Sequence, residues 1–179
     1  MHDPTLVANI SLPEDLETID LLRRAAMKSD DFDKQRKNSK AVSDCAFNVL
    51  SMEGSFTTFH QDKLGTFAVV SVGSKLWAFA PNTSKNLEAR LGWTPSHELG
   101  VFENCFVVDT LPGDLLLVPC GWHHAVYSPQ DSLMHGGHYI LAEGLVSNLE
   151  AATTQQKYRG LANESLAGVG EYFRILIKV

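Results

Sequence analysis

SMEGSFTTFHQDKLGTFAVVSVGSKLWAFAPN, residues 51–82, decides the fold. It is a chain of short runs rich in β-branched and aromatic residues, cut by Glu53-Gly54 and Gly73-Ser74. Such runs between turn residues predict strands at 55–62, 66–72 and 75–80, with Gly73-Ser74 as a two-residue hairpin joining the last two. Upstream, 47–52 reads as a further strand. Downstream, 81–100 reads as a connector with a short helix at 85–91. Strands are then expected at 101–108, at 114–119 after the Pro112-Gly113 turn, at 125–128 and at 137–141. Many short strands joined by Gly and Pro turns predict a mainly β fold, an antiparallel barrel or double-sheet jelly roll.

Helical patterns flank this core. In 11–27, Pro13 suits a first turn, Glu14, Asp15 and Glu17 favour the positive end, and Arg23 and Arg24 the negative end. Leu16, Ile19, Leu22 and Ala26 form its apolar stripe. Residues 28–40 are polar and charged, which predicts a loop. Helix formers return over 145–158, and a last helix is expected at 171–178. Its apolar run (Tyr172, Phe173, Ile175, Leu176) reads either as closure of the barrel end or as a homodimer face. One domain is expected, with an N-terminal segment 1–44, a core 45–144 and a C-terminal segment 145–179.

The chain has 179 residues, 44% hydrophobic and 20% charged, with a net charge of −6. No apolar run reaches the roughly 18 residues of a membrane span. The acidic N-terminal stretch lacks the basic-then-apolar order of a signal peptide. Cys45, Cys105 and Cys120 are odd in number and far apart, so neither a disulfide framework nor a zinc finger is expected. An intracellular protein, nuclear or cytoplasmic, follows. The acidic balance without a basic cluster argues against nucleic acid and is compatible with a cationic peptide partner.

His60 and Asp62 lie two apart in an extended run, so both side chains leave one strand face. A second imidazole from another strand would complete two histidines and one carboxylate with one side open, the ligand set of ferrous oxygenases. His124, after the Cys120-Gly121-Trp122 turn, suits that place. His123 and His124 face opposite ways in extended structure, so one of them stays solvent-facing or behind the site. The pair alone also fits a barrel-lining histidine bonded to Asp62. Lys75, expected on a strand pairing back against that of His60, is costly inside a barrel without an anion. The far carboxylate of 2-oxoglutarate is such an anion, and the Thr57 hydroxyl could bond it too. A surface lysine at a hairpin end is the alternative. Trp77 and Phe79 alternate with Lys75 and read as core. Trp122 reads as packing that positions His124, and His135 as flanking a Gly136-Gly137 turn.

Residues 51–82 and PGDLLLVPCGWHHAVYSPQDSLMHGGHYI (112–140) together resemble a JmjC domain. They are most similar to the lysine-demethylase branch whose larger members carry PHD-finger or CXXC modules, with its F-H-x-D, G-x-K and G-W-x-H-A-V patterns. Asn86-Leu87-Glu88 resembles it as well. The resemblance implies a cupin-like double-stranded β-helix and Fe(II) ligation by His60, Asp62 and His124, with His124 rather than His123 in the ligand position. It implies 2-oxoglutarate held by Lys75 and Thr57, and O2 as oxidant. The expected activity is hydroxylation of a protein side chain, with demethylation of N-methyl-lysine in a histone tail the leading candidate. Another residue, a small molecule, or a non-catalytic binding module are the alternatives. Two departures stand out. The branch's asparagine in G-G-N-F-L is His138, at a position that in the relatives lies near the open side of the iron and the substrate methyl; it counts among the candidate cofactor-binding residues, and an imidazole there could alter O2 binding, ligate, or suit another substrate. The segment from Asp62 to Lys75 is also shorter, and a tyrosine that holds 2-oxoglutarate falls at Ala68.

Overall fold

A computed structural model describes residues 18–21, 23–24, 46–92 and 102–162. The strands are β1 (Ala46–Ser51), β2 (Phe56–Gln61), β3 (Gly65–Val72), β4 (Lys75–Ala80), β5 (Phe106–Thr110), β6 (Leu115–Val118), β7 (His123–Tyr127) and β8 (Ser132–Tyr139). Helix α1 (Ser84–Leu91) lies between β4 and β5, and α2 (Leu145–Lys157) follows β8. The expected loop at 28–40, most of the helix at 11–27, the helix at 171–178 with its apolar run, and Cys45 lie outside the described residues.

Among the described residues, two four-stranded sheets face each other, in the orders β1-β8-β3-β6 and β2-β7-β4-β5. Every pairing is antiparallel. This is the jelly-roll arrangement, in which successive strands alternate between sheets except for β4 and β5, which pair within one. Two expectations about pairing are corrected by it. Gly73-Ser74 is not a hairpin turn, because β3 and β4 belong to different sheets. It is a corner, made with φ +76° at Gly73, where a Cβ would stand 2.2 Å from the Asp131 carbonyl oxygen. Secondly, β4 pairs with β7 and β5 rather than with the His60 strand, and β7 lies between them.

Inward residues of both sheets make the core: Ala68, Trp77, Phe79, Val118 and Met134, with Phe47, Val49, Val108, Leu116, Trp122 and Val126 packed around them. Trp77 and Phe79 are core residues as expected, their rings stacked at 6.0 Å. Gly136 and Gly137 are not a turn but the middle of β8. A Cβ on Gly136 would lie 2.5 Å from both the Phe47 ring and the Phe67 carbonyl oxygen, so the close sheet packing requires glycine there. His135, also in β8, bonds Asn48 across the β1–β8 pair.

The helices brace the β2–β7 side. Thr83 caps α1 by accepting from the Asn86 amide. Arg90 on α1 donates to the Phe59 carbonyl at 3.0 Å, and Gln155 on α2 to that of Gln61 at 3.1 Å. Helical residues near Asp20 dock on the end of β8: Leu21 N–H donates to the Ile140 carbonyl and Asp20 accepts from the Ile140 N–H.

Candidate metal centre

The sequence places His60 and His124 on separate strands, and the register makes them direct partners across β2 and β7. Their rings lie 4.1 Å apart. Asp62 follows β2 and its Oδ2 is 3.7 Å from His124 Nε2. One ligand atom from each of His60, Asp62 and His124 lies within 4.8 Å of the others. His60 Nδ1 is 2.8 Å from the Thr58 carbonyl oxygen, and His124 Nδ1 is 3.1 Å from that of Trp122. A carbonyl only accepts, so both rings carry their proton on Nδ1, and Nε2 is the atom that each could offer to a metal. Trp122 thus positions His124 through its backbone, while its ring packs against Phe106.

Burial alone would raise the Asp62 pKa. The neighbouring His124, His138 and His60 and the Thr66 hydroxyl outweigh it and hold the carboxyl below its ordinary value. A partly buried carboxylate with two ε-nitrogen donors is a hard-to-borderline N2O set suited to divalent iron and its neighbours. The donor chemistry therefore fits the expected ion.

His123 is neither solvent-facing nor a ligand. It is fully buried on the other face of β7. It sits opposite Gln61, whose Nε2 reaches its Nε2 at 3.1 Å and the Gly121 carbonyl at 2.6 Å. Burial, then Arg90, His124 and His60, push its pKa down to about 4. With the bond from Gly121 N–H to the Asp62 carbonyl at 2.9 Å, this network ties the ligand strand to the turn before His124.

The three candidate ligands line a cavity of about 220 Å³ between the sheets, together with Thr57, Thr66, Lys75, Ser128 and His138. At ~30 Å³ per water, that is room for roughly seven waters, or a small dicarboxylate beside an ion. Thr57 and His60 are three apart and should face opposite sides of a regular strand. A register shift between them sets two residues of β2, Thr58 and Phe59, against one of β7, Ala125, and both Thr57 and His60 reach the cavity. Lys75 is 2% exposed. Its ammonium donates to Ser51 Oγ at 2.6 Å and Ser128 Oγ at 2.8 Å, and burial lowers its pKa. Among the described residues no carboxylate reaches it. Ala68 packs in the core between the sheets rather than on the cavity.

The sequence reading missed Thr66, Ser51, Ser128 and Gln61. Thr66 lies opposite His138 across β3 and β8. Its Oγ1 is 2.6 Å from Asp62 Oδ2 and 3.0 Å from His138 Nδ1. His138 is in the cavity wall as expected, outside the group of three that shares the 4.8 Å limit. Nothing in local sequence marks these hydroxyls, because their roles come from strands that meet only in the fold.

The JmjC domain family model matches residues 24–143. The chain is 33% identical over 163 residues to JmjC domain-containing histone demethylation protein 1 of Candida albicans, covering 81% of this chain and 33% of that protein. It is 34% identical over 131 residues to the protein of the same description in Yarrowia lipolytica, 67% of this chain and 25% of the relative. Lysine-specific demethylase 2A of Xenopus tropicalis matches at 31% over 119 residues, 62% of this chain and 10% of the relative. The chain thus spans a third or less of the length of these relatives. With a family match over most of its length, laid across both strands that carry the candidate ligands, the chain belongs to the JmjC domain family.

Proposed function

We propose that the protein is an Fe(II)- and 2-oxoglutarate-dependent oxygenase acting on a protein side chain, with N-methyl-lysine of a histone tail as its leading substrate. The observation that carries this is the convergence of His60, Asp62 and His124 on a cavity that is also lined by a buried ammonium, Lys75, which among the described residues has no carboxylate partner. When bound, ferrous iron supplies the redox chemistry that couples O2 reduction to oxidative decarboxylation of 2-oxoglutarate. His60, Asp62 and His124 hold the ion from one side. Lys75 and Thr57 bind and orient the far carboxylate, and Trp77, Val126 and Met134 exclude water beside it. The histone assignment is supported by the descriptions of the relatives.

The overall reaction balances with one oxygen atom of O2 in succinate and the other in the substrate C–H bond, with CO2 released. Where that carbon is an N-methyl group, the hydroxylated product loses formaldehyde and leaves a lysine with one methyl fewer. Succinate formation with ferrous iron, 2-oxoglutarate and ascorbate tests the proposal, with His60→Ala as control. Turnover above the control is expected, and formaldehyde release from methyl-lysine peptides completes the assignment. Succinate with a peptide gaining one oxygen and no formaldehyde would assign a stable hydroxylation instead. Absence of iron and 2-oxoglutarate binding would make the domain a binding module.

A further inference from the structure

Thr66 has a single hydroxyl proton and two polar neighbours, Asp62 Oδ2 at 2.6 Å and His138 Nδ1 at 3.0 Å. The ionised carboxylate only accepts, so the Thr66 O–H donates to Asp62. The Thr66 oxygen then accepts from His138, whose proton must sit on Nδ1. The hydrogen bonds run in one direction: His138 Nδ1–H to Thr66 Oγ1, and Thr66 O–H to Asp62 Oδ2. Each link is shielded from competing water, since Thr66 is 4% and His138 3% exposed. Both ends are rigid, because Thr66 and His138 are direct cross-strand partners and the His138 ring packs at 5.7 Å from Phe47.

From this geometry we infer that His138 is a positioning residue: acting through Thr66, it fixes the orientation of the Asp62 carboxylate toward His60 and His124. It thereby ties the sheet that carries no ligands (β3 and β8) to the metal centre on the other. The inference rests on the reading of His60, Asp62 and His124 as a metal centre. It assigns His138 a role other than ligand or contact to the co-substrate, and it makes a specific demand on that position, an N–H donor one atom beyond Cγ. Histidine supplies it with Nδ1, and asparagine supplies it with Nδ2 at nearly the same place. Phenylalanine has the shape of the imidazole and lacks the donor.

Co(II) binding to the metal-free protein tests this, followed by calorimetry and by the visible ligand-field spectrum, with no turnover required. Thr66→Val and His138→Phe are expected to weaken Co(II) binding roughly 10- to 100-fold, the usual effect of removing a partner of a ligating carboxylate, and to alter the spectrum. Thr66→Ser and His138→Asn should restore binding to within a few-fold of wild type. Asp62→Ala should abolish it. Wild-type affinity and spectrum in folded Thr66→Val and His138→Phe would overturn the relay while leaving the metal centre standing. Equal losses in His138→Phe and His138→Asn would also overturn it, since the imidazole itself would then be what matters. A wild-type protein that takes up no Co(II) would overturn the metal centre and the relay together. Should Thr66→Val fail to fold, the His138→Phe and His138→Asn pair decides the same question from the other end of the chain of bonds.

Discussion

A lysine ammonium 2% exposed and bonded to two serine hydroxyls has given up most of its hydration without gaining an opposite charge among the described residues. Replacing it with a methionine of similar length removes a desolvated cation. The Lys75→Met variant should therefore melt at the wild-type temperature or above. Its KM for 2-oxoglutarate should rise at least ~10-fold, since a charge-assisted bond of about 1.5–3 kcal/mol is lost. Differential scanning calorimetry and succinate assays would read the two effects separately, and a destabilised variant would mean that Lys75 holds the fold. Cys120 illustrates the opposite case, a buried group with no task in the site. Burial first, and the Glu150 charge after it, push its thiol up to about 11. A group whose pKa lies three units above the solution pH is about one-thousandth thiolate. At pH 8, iodoacetamide should thus label exposed Cys105 and spare Cys120 in a folded Cys45→Ser background, with mass spectrometry as the check. Heavy labelling of Cys120 in the native protein would refute its placement.

Among the elements, the corner between β3 and β4 and the irregularity in β2 decide what reaches the cavity. Gly73 turns the chain from one sheet to the other with φ +76°, and a methyl there would overlap the Asp131 carbonyl and contact Ser132. Gly73→Ala should cost about 2–3 kcal/mol, the combined effect of a left-handed backbone and a steric overlap. Urea denaturation would measure it, and a change below half a kcal/mol would mean that the corner relaxes freely. Since Lys75 begins β4 two residues later, the same variant should also weaken co-substrate binding. The extra residue of β2 between Thr57 and His60 works differently. It re-aims one side chain without breaking the strand, as bulges beside sites commonly do. Periodicity read along the sequence places these two residues on opposite faces, and only the pairing with β7 reveals that they share one.

For the molecule as a whole, both sheets line the cavity that holds the candidate ligands, so a bound ion should stabilise the entire fold. A divalent ion at 100 times its dissociation constant adds about 2.7 kcal/mol to the native state. For a protein of this length that corresponds to a rise in Tm of roughly 5–10 °C. Mn(II) or Co(II) should produce it, EDTA should reverse it, and Asp62→Ala should not show it; an equal rise in that variant would place the ion elsewhere. Much of this was legible in the chain. The alternation of apolar residues and the Gly and Pro turns are local, so strands, their order and the spacing of His60 and Asp62 could be read directly. The turn before His124 and the position of Lys75 made both candidates beside that pair, and the resemblance chose His124 over His123 and implied 2-oxoglutarate as the partner of Lys75. What only the tertiary structure decided are relations between segments distant in sequence: which sheet β4 joins, the shift that brings Thr57 beside His60, the serines around Lys75, the burial of His123 behind the site, and the Thr66 bridge from His138 to Asp62. Those relations depend on strand register and sheet packing, which arise from many weak contacts at once, and no short stretch of residues encodes them.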